Sequence, residues 1–246
     1  MSEQRIARVL ELDPDLGSGV AREDWSAATQ SVLGVLDEHP PGPWDPCADL
    51  GDRLAGLIVG GLLVSHLSLA ETTSAELLTA GDVLLPDARP PVSFLSARGE
   101  CHVLEPVQVV WLGSNFERAA CRWPQLSRAL MQRVHWRARR AALMQTIGQL
   151  TRIDDRVLVL LWHLAERFGR VGGEGVVVPV RLTHRTIARL VGARRPSVTT
   201  AISALQRRGV VQRRTDGAWV LHERPVVEVG YMTSSPPGGA ARARVG

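Results

Sequence analysis

The 246 residues are 45% hydrophobic, with a formal net charge of +4, enough apolar material for a packed core in one large domain or two small ones. The charge is divided: residues 1–120 hold 18 acidic and 7 basic residues (net −11), residues 121–246 hold 7 and 22 (net +15), and all 29 basic residues are Arg, which restricts a polyanionic partner to the second half. The most apolar runs, Leu54–Leu69 and Val157–Ala165, are too short to span a bilayer, and Met1-Ser-Glu-Gln-Arg has no signal-peptide core, so a cytoplasmic protein with reduced Cys47, Cys101 and Cys121 is expected.

Residues 1–40 read as acidic and mostly helical or irregular, up to the break Pro40-Pro41-Gly42-Pro43. Leu57-Ile58-Val59 and Leu62-Leu63-Val64 flank Gly60-Gly61, a two-residue hairpin signal. Val64–Leu69 alternates apolar with polar, Ser74–Leu78 is a second strand, and Gly81-Asp82 marks a turn. Val92–Leu95, His102–Leu104 and Val107–Leu112 follow as further short strands. This spacing predicts a small β-barrel or roll over residues 1–122.

From Trp123-Pro124 the period becomes helical: Leu126, Leu130, Val134, Ala138, Ala141, Met144, Ile147 and Leu150. A long amphipathic helix is predicted over 123–152. Its stripe Leu130, Val134, Ala138, Ala141 and Met144, set opposite Arg133, Arg137 and Arg140, reads as a dimerisation surface; the alternative is a helix packed on its own barrel. Asp154-Asp155 predicts an N-cap and a favourable first-turn charge for the next helix, which ends near Gly169. Gly172, Gly173 and Gly175 form a loop, and Val176–Val180 a β-branched strand. Residues 231–246, rich in Ser, Pro, Gly and Arg, read as a disordered tail.

Function is carried by Arg181–Leu221. Thr183 is a predicted N-cap for a short helix, His184–Val191, with Ile187, Leu190 and Val191 inward and small Ala188 allowing close approach. Gly192 supplies a positive-φ helix end, and Pro196 fits the first turn of a second helix. Val198, Ile202 and Leu205 face inward. The opposite face carries Ser197, Thr199, Thr200, Ser203 and Arg207, with Arg194 and Arg195 at its N-terminal end. Asp216-Gly217 joins two strands, Val210–Arg214 and Ala218–Leu221, as a wing bearing Arg213 and Arg214. Helix, turn, helix and hairpin in this order make a winged helix-turn-helix over 153–230. Its second helix offers Arg for guanine and small hydroxyls for close entry into the major groove, while the wing arginines suit phosphates. A small helical subdomain with a solvated basic face is the bland alternative.

Leu182-Thr-His-Arg-Thr-Ile-Ala-Arg-Leu-Val-Gly192-Ala-Arg-Arg-Pro-Ser-Val198 resembles the DNA-binding motif of the Crp/Fnr regulators. The resemblance implies an α+β chain: an N-terminal, cyclic-nucleotide-binding-like β-roll, a long dimerising helix and a C-terminal winged helix. It further implies a homodimer on a near-palindromic DNA operator, with RNA polymerase as a further partner. Arg195 matches the family's base-reading Arg, and Thr183, Arg194 and Ser197 match backbone- or base-contacting positions. Pro196 stands where members reading the best-known half-site carry Glu, and Thr200 where they carry a further Arg, so a different target sequence is expected.

The family's cyclic-AMP binders hold the phosphate with Gly-Glu-Leu and then Arg-Ser/Thr. Here Gly99-Glu100 is followed by Cys101-His102, and Arg118 by Ala119-Ala120, so cyclic-nucleotide binding in that mode is not expected, and no cofactor is assigned. The scattered Cys and His residues give no iron–sulfur or zinc spacing, and P-loop, G-x-G-x-x-G and G-x-S-x-G motifs are absent, so the chain is not read as an enzyme. A protein-interaction module and a non-nucleotide ligand sensor on the same scaffold are the alternatives.

Overall fold

A computed structural model describes residues 5–86 and 97–224. The expected strand Val92–Leu95 and tail 231–246 lie outside the described residues. The N-terminal region contains β1 (Arg5–Arg8), α1 (Val9–Leu12), a 3-10 turn (Pro14–Gly17), α2 (Trp25–Ser31), β2 (Leu33–His39), β3 (Gly42–Trp44) and α3 (Pro46–Leu50). Then come β4 (Ala55–Leu69), β5 (Thr72–Thr79), β6 (Val83–Leu84), β7 (Arg98–Leu112) and α4 (Ser114–Arg122). The strands form one antiparallel sheet in the order β1-β2-β7-β4-β5, with β3 on β7 and β6 on β4. It curls over two apolar clusters, one around Leu57, Val110, Phe116 and Leu126, the other around Ile58, Leu63, Val109 and Trp111.

Gly60-Gly61 is not a hairpin. It lies inside the 15-residue strand β4, where the register against β7 shifts between Ile58 and Leu63. Gly61 has φ +85, and a Cβ there would lie 2.1 Å from the Pro106 carbonyl oxygen, so the pair marks a bulge where two backbones cross closely. The true β4–β5 turn is at Ala70-Glu71, with Ala70 at φ +51. Likewise β7 runs unbroken through Glu105-Pro106, joining two expected strands, and the supposedly irregular N-terminus contributes β1 and β2.

The long helix α5 (Pro124–Gln149) begins with Pro at its first position, where the missing N–H costs little. Its arginine stripe faces inward, contrary to the sequence reading. Arg133 donates to both carboxylate oxygens of Asp13, one at 2.7 Å, and Arg137 grips Glu76 through Nε and Nη2 at 3.0–3.2 Å. Arg140 pairs with Asp82. The acidic roll supplies the counter-charges that pull this face in. Of the predicted dimer stripe, Leu130 is buried in the roll core, Val134 is half-buried against it, and Met144 packs on the winged-helix core; Ala138 and Ala141 are exposed. The outward face carries Met131, Trp136 and Leu143, with exposures of 64%, 52% and 40%.

The C-terminal region comprises α6 (Ile153–Phe168), β8 (Arg170–Gly172), β9 (Gly175–Val178), α7 (His184–Leu190), α8 (Arg195–Arg207), β10 (Val211–Arg213) and β11 (Trp219–Leu221). Its sheet runs β10-β11-β9-β8. The α6 N-cap is Arg152, so the expected cap Asp154 instead sits in the first turn, where it pairs with Arg152 at 2.8 Å and still favours the helix dipole. No helix among the described residues is long and apolar enough to cross a membrane.

Candidate nucleic-acid interface

The basic face is built on a small apolar wedge. Ile187, Leu190 and Val191 of the first helix and its end meet Val198, Ile202 and Leu205 of α8 over Leu161 and Leu164 of α6, all buried. Thr183 caps α7 by accepting from the Thr186 N–H at 3.1 Å, satisfying a donor that would otherwise face solvent. Gly192 turns the chain at φ +63, a conformation that costs glycine little. Arg156 fixes this turn from α6: Nε donates to the Leu150 carbonyl at 2.6 Å and Nη1 to the Gly192 carbonyl at 3.4 Å. In α8, Pro196 occupies the first turn.

Arg194, Arg195, Thr199, Thr200, Ser203 and Arg207 share one exposed face, with Ser197 half-buried beside them. The hydroxyls are ordered by their own helix. Thr199, Thr200 and Ser203 donate to the carbonyls of Arg195, Pro196 and Thr199 at 3.0–3.2 Å, leaving oxygen lone pairs outward. His184 Nδ1 lies 3.0 Å from Thr199 Oγ1 and ties α7 to α8. Burial, followed by Arg213 and Arg195, holds the His184 imidazole below its ordinary pKa.

The wing forms as expected. Gly217 turns at φ +88, and the Asp216 carboxylate accepts from the Ala218 N–H at 3.0 Å. Its two arginines differ. Arg213 lies over the Trp219 ring and donates to the Leu182 carbonyl at 3.3 Å, whereas Arg214 is drawn between Asp216 at 3.3 Å and Glu174 at 4.0 Å. Arg194 and Arg195 have no such carboxylate among the described residues and are the freer cations.

Sequence reading missed Arg185 and Arg189. They stand one turn apart on α7, turned toward the roll rather than into the wedge, and the i, i+4 spacing was the signal that could have identified them. Both line a cavity of about 1250 Å³ between α7 and the roll. Also missed was the junction at Asp82, which is 3% exposed. It accepts from Arg140 of α5, from Arg167 of α6 at 2.7 Å and from the Thr79 N–H at 2.9 Å. Among the described residues, no group of three or more His, Cys, Asp and Glu side chains is arranged to hold a metal ion.

Residues 155–226 match the model of the Crp-like helix-turn-helix domain. No curated protein sequence matches the chain. Among solved structures, a cyclic nucleotide-binding domain containing protein from Listeria monocytogenes EGD-e aligns with TM-score 0.63 and 16% identity over 85% of this chain and 97% of that one. A CooA mutant from Carboxydothermus hydrogenoformans aligns with TM-score 0.61 and 15% identity over 76% and 82%. FixK2 from Bradyrhizobium japonicum aligns with TM-score 0.55 and 19% identity over 78% and 93%. At these identities the structural likeness establishes the fold, while the domain match identifies the DNA-binding type of the C-terminal region. Residues 155–226 thus match the Crp-like helix-turn-helix domain, and the described chain shares the fold of these solved structures.

Proposed function

We propose that the chain is a dimeric, sequence-specific DNA-binding transcription regulator. The observation that carries this reading is the exposed α8 face, where Arg194 and Arg195 stand at the N-terminal end of a hydroxyl-bearing helix without carboxylate partners. With α8 in the major groove, Arg195 reads a guanine edge, and Thr199, Thr200 and Ser203 line the contact. Thr183, Arg194, Ser197, Arg207, Arg213 and Arg214 serve backbone positioning. Arg214 contributes less because two carboxylates share it.

Two such helices reach successive major grooves if two chains pair through α5. The outward line Met131, Ala138 and Ala142, flanked by Trp136 and Leu143, fits that role better than Leu130 and Met144, which are turned inward. On the roll side of the cavity Gly99-Glu100 is followed by Cys101-His102 rather than by Leu and an Arg–hydroxyl pair, which supports regulation by something other than cyclic AMP bound in the usual mode. Arg118 lies outside the cavity, beside Asn115 on α4.

Selection from a random duplex library tests the proposal. A near-palindromic site should emerge, and Arg195→Ala should weaken it by about 1–3 kcal/mol and relax one base position. Failure to enrich any sequence, with Arg195→Ala indistinguishable from wild type, would refute it.

A further inference from the structure

The cavity between the roll and α7 has two kinds of wall. Val64, Leu78, Leu84 and Leu104 make an apolar side from the roll, and Thr183, Arg185, Thr186 and Arg189 close it from the helix-turn-helix. Among the described residues, no carboxylate lies within ion-pair distance of the two arginines on the second wall. Arg185 has no ion pair or hydrogen bond among the described residues. Arg189 has one, to His66 Nε2 at 3.1 Å. Burial, followed by Arg189 itself, holds His66 below its ordinary pKa, so near neutral pH the ring is uncharged and does not offset the guanidinium. The third cavity arginine, Arg137, is already neutralised by Glu76. Of the acidic residues on the wall, Glu100 is exposed and Asp45 accepts from the Cys47 N–H; neither forms an ion pair with Arg185 or Arg189.

A cavity with an apolar side facing two guanidiniums that have no carboxylate partner among the described residues has the chemistry to hold a carboxylate with an apolar body. We propose that this cavity is an effector site for a small apolar monocarboxylate, held by Arg185 and Arg189, and that its occupation opposes DNA binding. The inference rests on the DNA-binding reading above. Thr183 and Arg185 open the first helix of the motif, the helix that crosses the DNA backbone. A carboxylate bound between α7 and the roll takes up that positive charge and fastens the helix to the roll. The two ligands therefore compete for one element, and each weakens the other by the same factor.

Calorimetry on the full chain without DNA tests the site, using decanoate as probe and decanol and cyclic AMP as controls. Saturable decanoate binding is expected, with no comparable binding of either control. Arg185→Ala, an exposed position, and Arg189→Gln should each weaken decanoate about tenfold or more, the worth of a charge-assisted hydrogen bond. Saturating decanoate should lower wild-type affinity for the selected duplex, and the reduction should shrink in both variants. Absence of saturable binding, equal binding of decanol or cyclic AMP, indifference to both substitutions, or duplex affinity unchanged or raised by decanoate would each overturn the proposal. Duplex binding without decanoate reports on the DNA reading separately.

Discussion

Replacing Asp82 by alanine removes a carboxylate on which the roll, the long helix and the winged-helix domain converge. Its side chain is 4% exposed, and those of its partners Arg140 and Arg167 are 20% and 19% exposed. The Thr79 N–H loses a charge-assisted hydrogen bond, about 1.5–3 kcal/mol, and two guanidiniums lose their counter-ion. Breaking a fully buried pair costs about 3–5 kcal/mol, but each arginine here keeps a fifth of its surface in water and recovers part of its hydration. Arg167 also retains the Leu77 carbonyl at 3.3 Å. The net expectation for Asp82→Ala is a loss of about 3 kcal/mol, read from urea unfolding at pH 7 by tryptophan fluorescence. Asp82→Asn, which keeps an acceptor but not the charge, should fall between the two. A loss under about 1 kcal/mol for alanine, or wild-type stability for asparagine, would refute the view that this carboxylate joins the domains.

Gly61→Ala should destabilise by about 2–4 kcal/mol in the same assay, from left-handed strain and a Cβ forced onto the Pro106 carbonyl; an unchanged midpoint would mean that the strands can separate there without cost. Acid should weaken the fold from pH 6.5 downward. His66, His163 and His184 all have pKa values below the ordinary 6.5, chiefly through burial. The unfolded chain therefore binds more protons just below pH 6.5, so this stabilisation is present above 6.5 and is lost as the pH falls. Urea midpoints at pH 7.5, 6.5 and 5.5 should decline, with a shallower decline in His66→Gln, and a midpoint rising toward pH 5.5 would contradict the assignment. Ala138→Glu, on the outward face of α5, should convert dimers to monomers by light scattering at micromolar concentration, and a persistent dimer would place the interface elsewhere.

The winged helix was legible almost residue by residue because its constraints are local. Thr183, Gly192, Pro196 and Asp216-Gly217 each satisfy a backbone requirement within a few residues, and each occupies the expected place. The roll was legible as a class but not in its strands. Gly60-Gly61 reads as a turn by local chemistry, and only the approach of β7 shows why the strand needs glycine there. The α5 stripe was misassigned for a related reason. Hydropathy alone turns Arg133, Arg137 and Arg140 toward water, but their partners Asp13, Glu76 and Asp82 are 120, 61 and 58 residues away in sequence. Long-range charge pairing outweighed the amphipathic pattern. Arg185 and Arg189 escaped notice because their significance depends on the roll facing them.

Whether the basic half meets nucleic acid is read from the salt dependence of binding to fluorescent mixed-sequence duplex DNA. Contacts from each protomer to several phosphates predict that log K falls linearly with log salt, with a slope steeper than about −3, approaching −0.9 per phosphate contacted. Arg194→Ala should make that slope shallower by about one contact per protomer. Absence of binding at about 50 mM salt, the low end of the range in which such contacts are strong, or binding indifferent to salt, would contradict the account.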